Sequence, residues 1–172
     1  MPILKRLDVG FGIGYGNAAY SIQDQLTSGF GVSFNLKESM TLLSFPFSVK
    51  YYFLNSRLRP FAQLGAKYTR LLSSEISGNR SGGPPATISE NTLEMRNKKL
   101  FFASVGVGAQ YLLRKGYFFV EVTYFKGTTD MVDSSNRYAN ADLLFGAGYV
   151  ADDFKLSSLA INFGYAFSLF KD

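Results

Sequence analysis

From Leu7 onward the odd positions Leu7, Val9, Phe11, Ile13 and Tyr15 are apolar, while the even positions hold Asp8 and then Gly10, Gly12, Gly14 and Gly16. A period of two marks a strand with two unlike faces. The alternation recurs at Phe30, Val32, Phe34 and Leu36, set against Gly29, Gly31, Ser33 and Asn35. It returns at Leu43, Phe45, Phe47, Val49, Tyr51 and Phe53, set against Ser44, Pro46, Ser48, Lys50 and Tyr52. Four more segments follow the same rule, centred on residues 62–68, 101–111, 118–124 and 159–169. No segment of comparable length carries a helical period.

The composition of the second face decides which way these strands turn. It is built of Gly, Ser, Asn and Gln, too small and too poor in Lys and Glu for the solvent face of a soluble barrel or sandwich. Reversed, the pattern is coherent: Leu, Val and Phe face lipid, and small hydrogen-bonding groups fill a narrow interior. The expected fold is therefore all-β, a small antiparallel up-and-down transmembrane β-barrel of about eight strands, with residues 1–172 as one domain. Tyr15, Tyr51, Phe53, Tyr68, Tyr111, Tyr117 and Tyr124 fall near segment ends, where an interfacial aromatic girdle belongs.

Connection lengths give the orientation. Lys37–Met40, Leu54–Arg59 and Leu113–Gly116 read as tight turns, whereas residues 73–99 form a long Ser-, Gly-, Pro- and Asn-rich loop, expected on the extracellular side. Seven strands are clear. The eighth is either residues 139–150, where Leu143, Phe145, Ala147 and Tyr149 alternate with Asp142, Leu144, Gly146 and Gly148, or a strand upstream of residue 1.

The opening glycines pose a rival reading. Gly14, Gly16 and Ala19 spell G-x-G-x-x-A, and Glu38 follows roughly 20 residues later, the outline of a dinucleotide-binding fingerprint. Such a site needs the glycines to open a helix after a strand buried on both faces. Here glycine simply occupies every inward position of a two-faced strand, leaving room for Tyr52, Phe61, Phe102 and Phe119. No cofactor is expected.

Composition narrows the chemistry further. The chain of 172 residues has neither His nor Cys, which removes His- and Cys-based metal sites, disulfides and Ser-His or Cys-His nucleophiles. An enzyme is not expected. The net charge of +5 is spread over scattered Lys and Arg rather than a stripe, so no nucleic-acid partner is expected. No stretch reaches the roughly 18 apolar residues of a transmembrane helix.

Residues 42–72, with Pro46, Lys50, Tyr51 and Tyr52 in one strand and Pro60 and Gly65 in the next, resemble the PorT-like outer-membrane β-barrel family, although Phe61 stands where that family usually has Tyr. The ending Gly164-Tyr165-Ala166-Phe167-Ser168-Leu169-Phe170 is similar to a barrel-assembly signal, and Asp152-Asp153-Phe154-Lys155-Leu156 is similar to a recurrent element of such proteins. The resemblance implies a small eight-stranded barrel of the Gram-negative outer membrane and a role beside other envelope or secretion components.

Site residues follow from the faces. Asp8, Lys50, Lys67, Glu121 and Asp142 point inward or to the rims, and a bare interior charge costs several kcal/mol. The pattern thus predicts a lumen network of Lys50 and Lys67 against Glu121. Arg80, Arg96, Lys98 and Lys99, in or beside the long loop, are the candidate loop contacts. Pro46, without a donor N–H, should mark a bulge or break. The expected function is a non-enzymatic outer-membrane subunit that touches lipid and docks onto another envelope protein. The alternatives are a soluble or membrane barrel that binds a small apolar ligand, and a narrow pore.

Overall fold

The computed structural model describes residues 6–26, 32–81, 86–147 and 150–167. The strand onset at Phe30, the Gly82–Pro85 tip, Gly148–Tyr149 and the terminal Ser168–Phe170 signal lie outside the described residues. Among the described residues, eight strands form one antiparallel sheet. They are β1 (Leu7–Phe11), β2 (Gly14–Leu26), β3 (Val32–Tyr52), β4 (Leu58–Ser81), β5 (Ala86–Asn91), β6 (Lys99–Leu113), β7 (Gly116–Gly127) and β8 (Ser157–Phe167). The order is β1-β3-β4-β6-β7-β8, with β2 continuing β1 along β3 and β5 folding back on β4.

Polarity divides the sheet as the alternation requires. Val9, Phe11, Ile13, Tyr15, Phe47, Leu64, Val105, Val107, Val120, Ile161 and Phe163 lie exposed on the convex face. Tyr52, Phe61, Gln63, Thr69, Phe102, Gln110 and Thr123 are buried on the concave face. The sheet curls tightly enough for Lys50 of β3 to touch Glu121 of β7, with β4 and β6 lying between them.

Closure is where the structure departs from a complete barrel. Among the described residues, the two ends of the strand order, β1 and β8, are not paired with each other, so the curled sheet stays open along one side.

The described parts of the segments read as 30–36 and 43–53 belong to one strand, Val32–Tyr52, of 21 residues, and no turn exists at Lys37–Met40. The apolar phase does switch there, from even to odd positions, but through an inversion of surroundings rather than a reversal of the chain. At the loop end Leu36 and Met40 point into apolar clusters while Lys37 and Ser39 face out. Further along, Phe47 and Tyr51 face out and Ser48 and Lys50 face in.

Residues 73–99 are likewise not a structureless loop. Strand β4 continues to Ser81, β5 returns along it, and a 3₁₀ turn at Leu93–Met95 follows. A register shift opposite Thr41 and Leu42 leaves Leu72 as the extra residue, so Leu71 and Ser74 both face inward across the bulge. Of the two places offered for an eighth strand, residues 139–150 hold no strand among the described residues. Asp142–Ala147 form a π-helical turn, begun by the Asn140 side chain accepting from Leu143 N–H at 2.9 Å and anchored by buried Leu143.

Pro46 breaks only one of its ladders. Its carbonyl accepts from Gly12 N–H at 3.1 Å, but it returns no donor, and β1 and β2 part at Gly12–Ile13 opposite it. Its pairing with Lys67 on the other side runs on without a shift.

Candidate functional site

The interior is a column of layers. Near the short turns Gln110 Nε2 donates to Tyr52 Oη at 2.7 Å, and Tyr52 meets Phe61 edge-on with centroids 5.6 Å apart. Room for Phe61 comes from Gly108, where an added Cβ would sit 2.5 Å from Phe61 Cζ. Gly164 does the same for Phe119, at 3.0 Å. The opening glycines make no such room for a ring: a Cβ at Gly10 would meet the Ser48 hydroxyl at 3.0 Å, at Gly12 or Gly14 nothing closer than 3.5 Å, and at Gly16 nothing within 4 Å. Crowding explains the later glycines and corrects the expectation for the opening ones.

The next layer holds the charges. Lys50 Nζ donates to Glu121 Oε2 at 2.6 Å, Asn162 Nδ2 donates to Glu121 Oε1 at 3.1 Å, and the ammonium lies 4.6 Å from the Phe61 ring centre. Gln63 donates to Thr123 beside them. Lys67 does not share this carboxylate. Its ammonium sits between two rings, 4.4 Å from Phe102 and 4.0 Å from Phe125. The single network foreseen for Lys50, Lys67 and Glu121 is therefore a pair plus a separate cation held by π-faces. Asp142, in the π-helical turn, is exposed and takes no part. A cavity of about 260 Å³ lies here, lined by Gly10, Gly12, Lys50, Gln63, Glu121 and Asn162 among others.

Above it an apolar plug fills the curl. Met40, Leu71, Leu100, Phe102 and Met131 form its centre, with Tyr20, Phe125, Phe154 and Leu156 against it. Phe154 reaches Tyr20 across the open side at 5.1 Å between ring centres.

A fully buried carboxylate sits at the loop end. Glu38 Oε1 accepts from Ser74 Oγ at 2.6 Å, Arg96 Nε at 2.8 Å and Thr92 Oγ1 at 2.9 Å. Its Oε2 accepts from Arg96 Nη2 at 2.5 Å and from the Tyr20 hydroxyl. Burial pushes this carboxyl up, but the hydrogen bond and charge of Arg96, with Ser74 and Tyr20, hold it below its ordinary value. These donors come from β2, β4 and the segment after β5, so the cluster ties the β4–β5 hairpin to the curl. With both oxygens saturated, the carboxylate is built to hold structure rather than to move protons.

The candidate loop contacts separate accordingly. Arg96 is wholly buried and is removed as a surface contact. Lys98 and Lys99 are exposed beside a polar cavity of about 390 Å³ lined also by Glu94, Asn97, Asp133 and Asn136. Arg80 stands apart, half-buried near the end of β4. Tyr20, Ser74 and Thr92 escape the sequence reading, which met Glu38 only as the acid of the rejected dinucleotide fingerprint. The one available signal was Glu38, an acid among Leu36, Met40 and Leu42 on a single strand face.

No family model, no curated protein and no solved structure matches the chain.

Proposed function

We propose that the chain is a non-enzymatic outer-membrane β-barrel protein, an accessory or structural subunit that docks onto another envelope or secretion complex. One observation carries the reading: a convex face of Leu, Val, Ile and Phe surrounds a concave face of glycine, amides, hydroxyls and a paired charge. A soluble barrel with apolar interior would need the opposite arrangement, and so broad an exposed apolar surface calls for lipid or protein against it. The barrel then comprises about eight strands, with the β4–β5 hairpin on the extracellular side. The residues at 42–72 that resemble the PorT-like family favour the same assignment.

The β4–β5 hairpin is the docking element in this proposal, because the buried Glu38–Arg96 cluster holds it in one pose and so lowers the ordering cost of binding. The apolar plug speaks against a conducting pore. Heat-modifiable mobility after folding into detergent, and quenching of Tyr fluorescence by lipid-borne quenchers, are the expected results. A monodisperse monomer in detergent-free buffer ends the proposal.

A further inference from the structure

The two ends of the sheet treat their cations differently. At the loop end Arg96, Arg137 and Lys155 each meet a carboxylate, that of Glu38, Asp153 and Asp130 respectively. At the short-turn end Arg6, Arg57, Arg59, Arg114 and Lys115 form no ion pair among the described residues. Residues 53–59 and 113–116 contain no Asp or Glu, and Asp8 of β1 lies opposite Lys50 without an ion pair to any of these cations. Like charges gathered without a counter-charge repel one another, and a bound anion relieves that repulsion.

Two of these cations share a cleft. Leu112 N–H donates to Arg57 O at 2.8 Å, which ties the turn after β3 to the end of β6. Arg57 and Arg114 then line a cavity of about 440 Å³ together with Tyr111, Leu112 and Leu113. Neither guanidinium has a hydrogen-bond acceptor among the described residues, whereas Arg59 is held within its own turn, donating to Ser56 O at 3.3 Å and to Asn55 Oδ1 at 3.1 Å. The cleft continues into the apolar outer face. Tyr111 and Leu113 are 46 % and 44 % exposed, Leu58 stands opposite Tyr111 in the ladder at 54 %, and exposed Val107 and Val105 follow along β6. A ring between an apolar band and a cationic rim has the placement of an interfacial aromatic.

We infer that the cleft between Arg57 and Arg114 seats the headgroup of an anionic phospholipid, with its phosphodiester between the two guanidiniums and one acyl chain along Tyr111, Val107 and Val105. This rests on the membrane reading above and names the lipid chemistry for one rim of it. A guanidinium matches two phosphate oxygens at once, and the acyl chain covers apolar surface that a free anion leaves bare, so the cleft prefers the lipid to its headgroup alone. A zwitterionic lipid sets its own cation against the arginines and binds more weakly.

The test folds the 172-residue chain into maltoside micelles and follows lipid binding by native mass spectrometry. Dioleoyl phosphatidylglycerol is titrated beside dioleoyl phosphatidylcholine and soluble glycerol 3-phosphate. A single tight phosphatidylglycerol per chain is expected, and Arg57→Gln or Arg114→Gln should each weaken it about tenfold, the worth of one charge-assisted hydrogen bond. Lys115→Gln removes the same charge from the same rim outside the cleft and should leave the affinity within about twofold. All three positions are exposed, so the variants keep the fold. An equal loss in Lys115→Gln, phosphatidylcholine bound as tightly as phosphatidylglycerol, or glycerol 3-phosphate bound as tightly as the lipid overturns the inference. Failure of the membrane reading is distinguishable, because it appears as a detergent-free monomer before any lipid is added.

Discussion

Arg96 and Glu38 lie 58 residues apart in sequence and meet at the loop end of the sheet with neither side chain exposed. The pair is formed by a residue in mid-strand and one just beyond a 3₁₀ turn, so its presence fixes how the β4–β5 hairpin sits over the curl.

Glu38→Gln or Arg96→Met should each cost about 3–5 kcal/mol, since either leaves a buried charge or donor set without its partner. The double change Glu38→Met with Arg96→Met should recover only part of that loss, because it avoids a lone buried ion but takes away the acceptor of the Ser74, Thr92 and Tyr20 hydroxyls. Thermal unfolding in detergent compares the three, and early proteolytic cleavage within residues 86–98 identifies the hairpin as the part released first.

Acid should loosen this end selectively. Because the Glu38 carboxyl titrates below its ordinary 4.5, the folded form binds the proton less readily than the unfolded chain. Its contribution is complete above 4.5 and is lost as pH falls from there through the lower folded-state value. Hydrogen exchange at Thr92, Met95 and Arg96, followed from neutral pH downward, should accelerate in that window in the native chain and show no such step in Glu38→Gln.

The lumen pair should couple more weakly. Lys50 and Glu121 keep 18 % and 14 % of their side-chain surface exposed, and the Glu121 carboxylate also has Asn162. A double-mutant cycle with Lys50→Met and Glu121→Leu should give a coupling of about 1–2 kcal/mol, within the range of contacting charged residues. A coupling near zero would mean that solvent in the adjacent cavity screens the pair.

Glycines of identical spacing should respond differently. A Cβ at Gly106 would sit 2.7 Å from Gln63 Nε2 and 2.8 Å from Val122 O, so Gly106→Ala should cost about 1–3 kcal/mol. Gly16→Ala meets nothing and should change stability by less than about 0.5 kcal/mol. Parallel denaturant titrations decide this, and similar losses at both positions would refute the distinction.

Much of the architecture was legible because a strand writes its two faces into every second residue. Phe101, Val105 and Val107 against Phe102, Ser104 and Gly106 fixed the faces of β6 whatever its neighbours. The same rule misled at residues 37–42, where the apolar phase changes because the strand passes from an apolar exterior to an apolar interior, a change in surroundings that no local pattern encodes. It misled again at Asp142–Ala147, where alternation over a few residues coincides with a π-helical turn capped by Asn140.

By itself, the sequence determined the strand period, the contrast between the two faces and the exclusion of His and Cys chemistry, since these depend only on residue type and spacing. Tertiary structure decided which charges meet. Glu38 found Arg96, Lys50 found Glu121 and Lys67 was left between Phe102 and Phe125, because sheet curl and the Leu72 bulge set those distances across strands far apart in the chain. The open edge between β1 and β8 is likewise a property of closure, which is set by strand number and curvature rather than by any single strand.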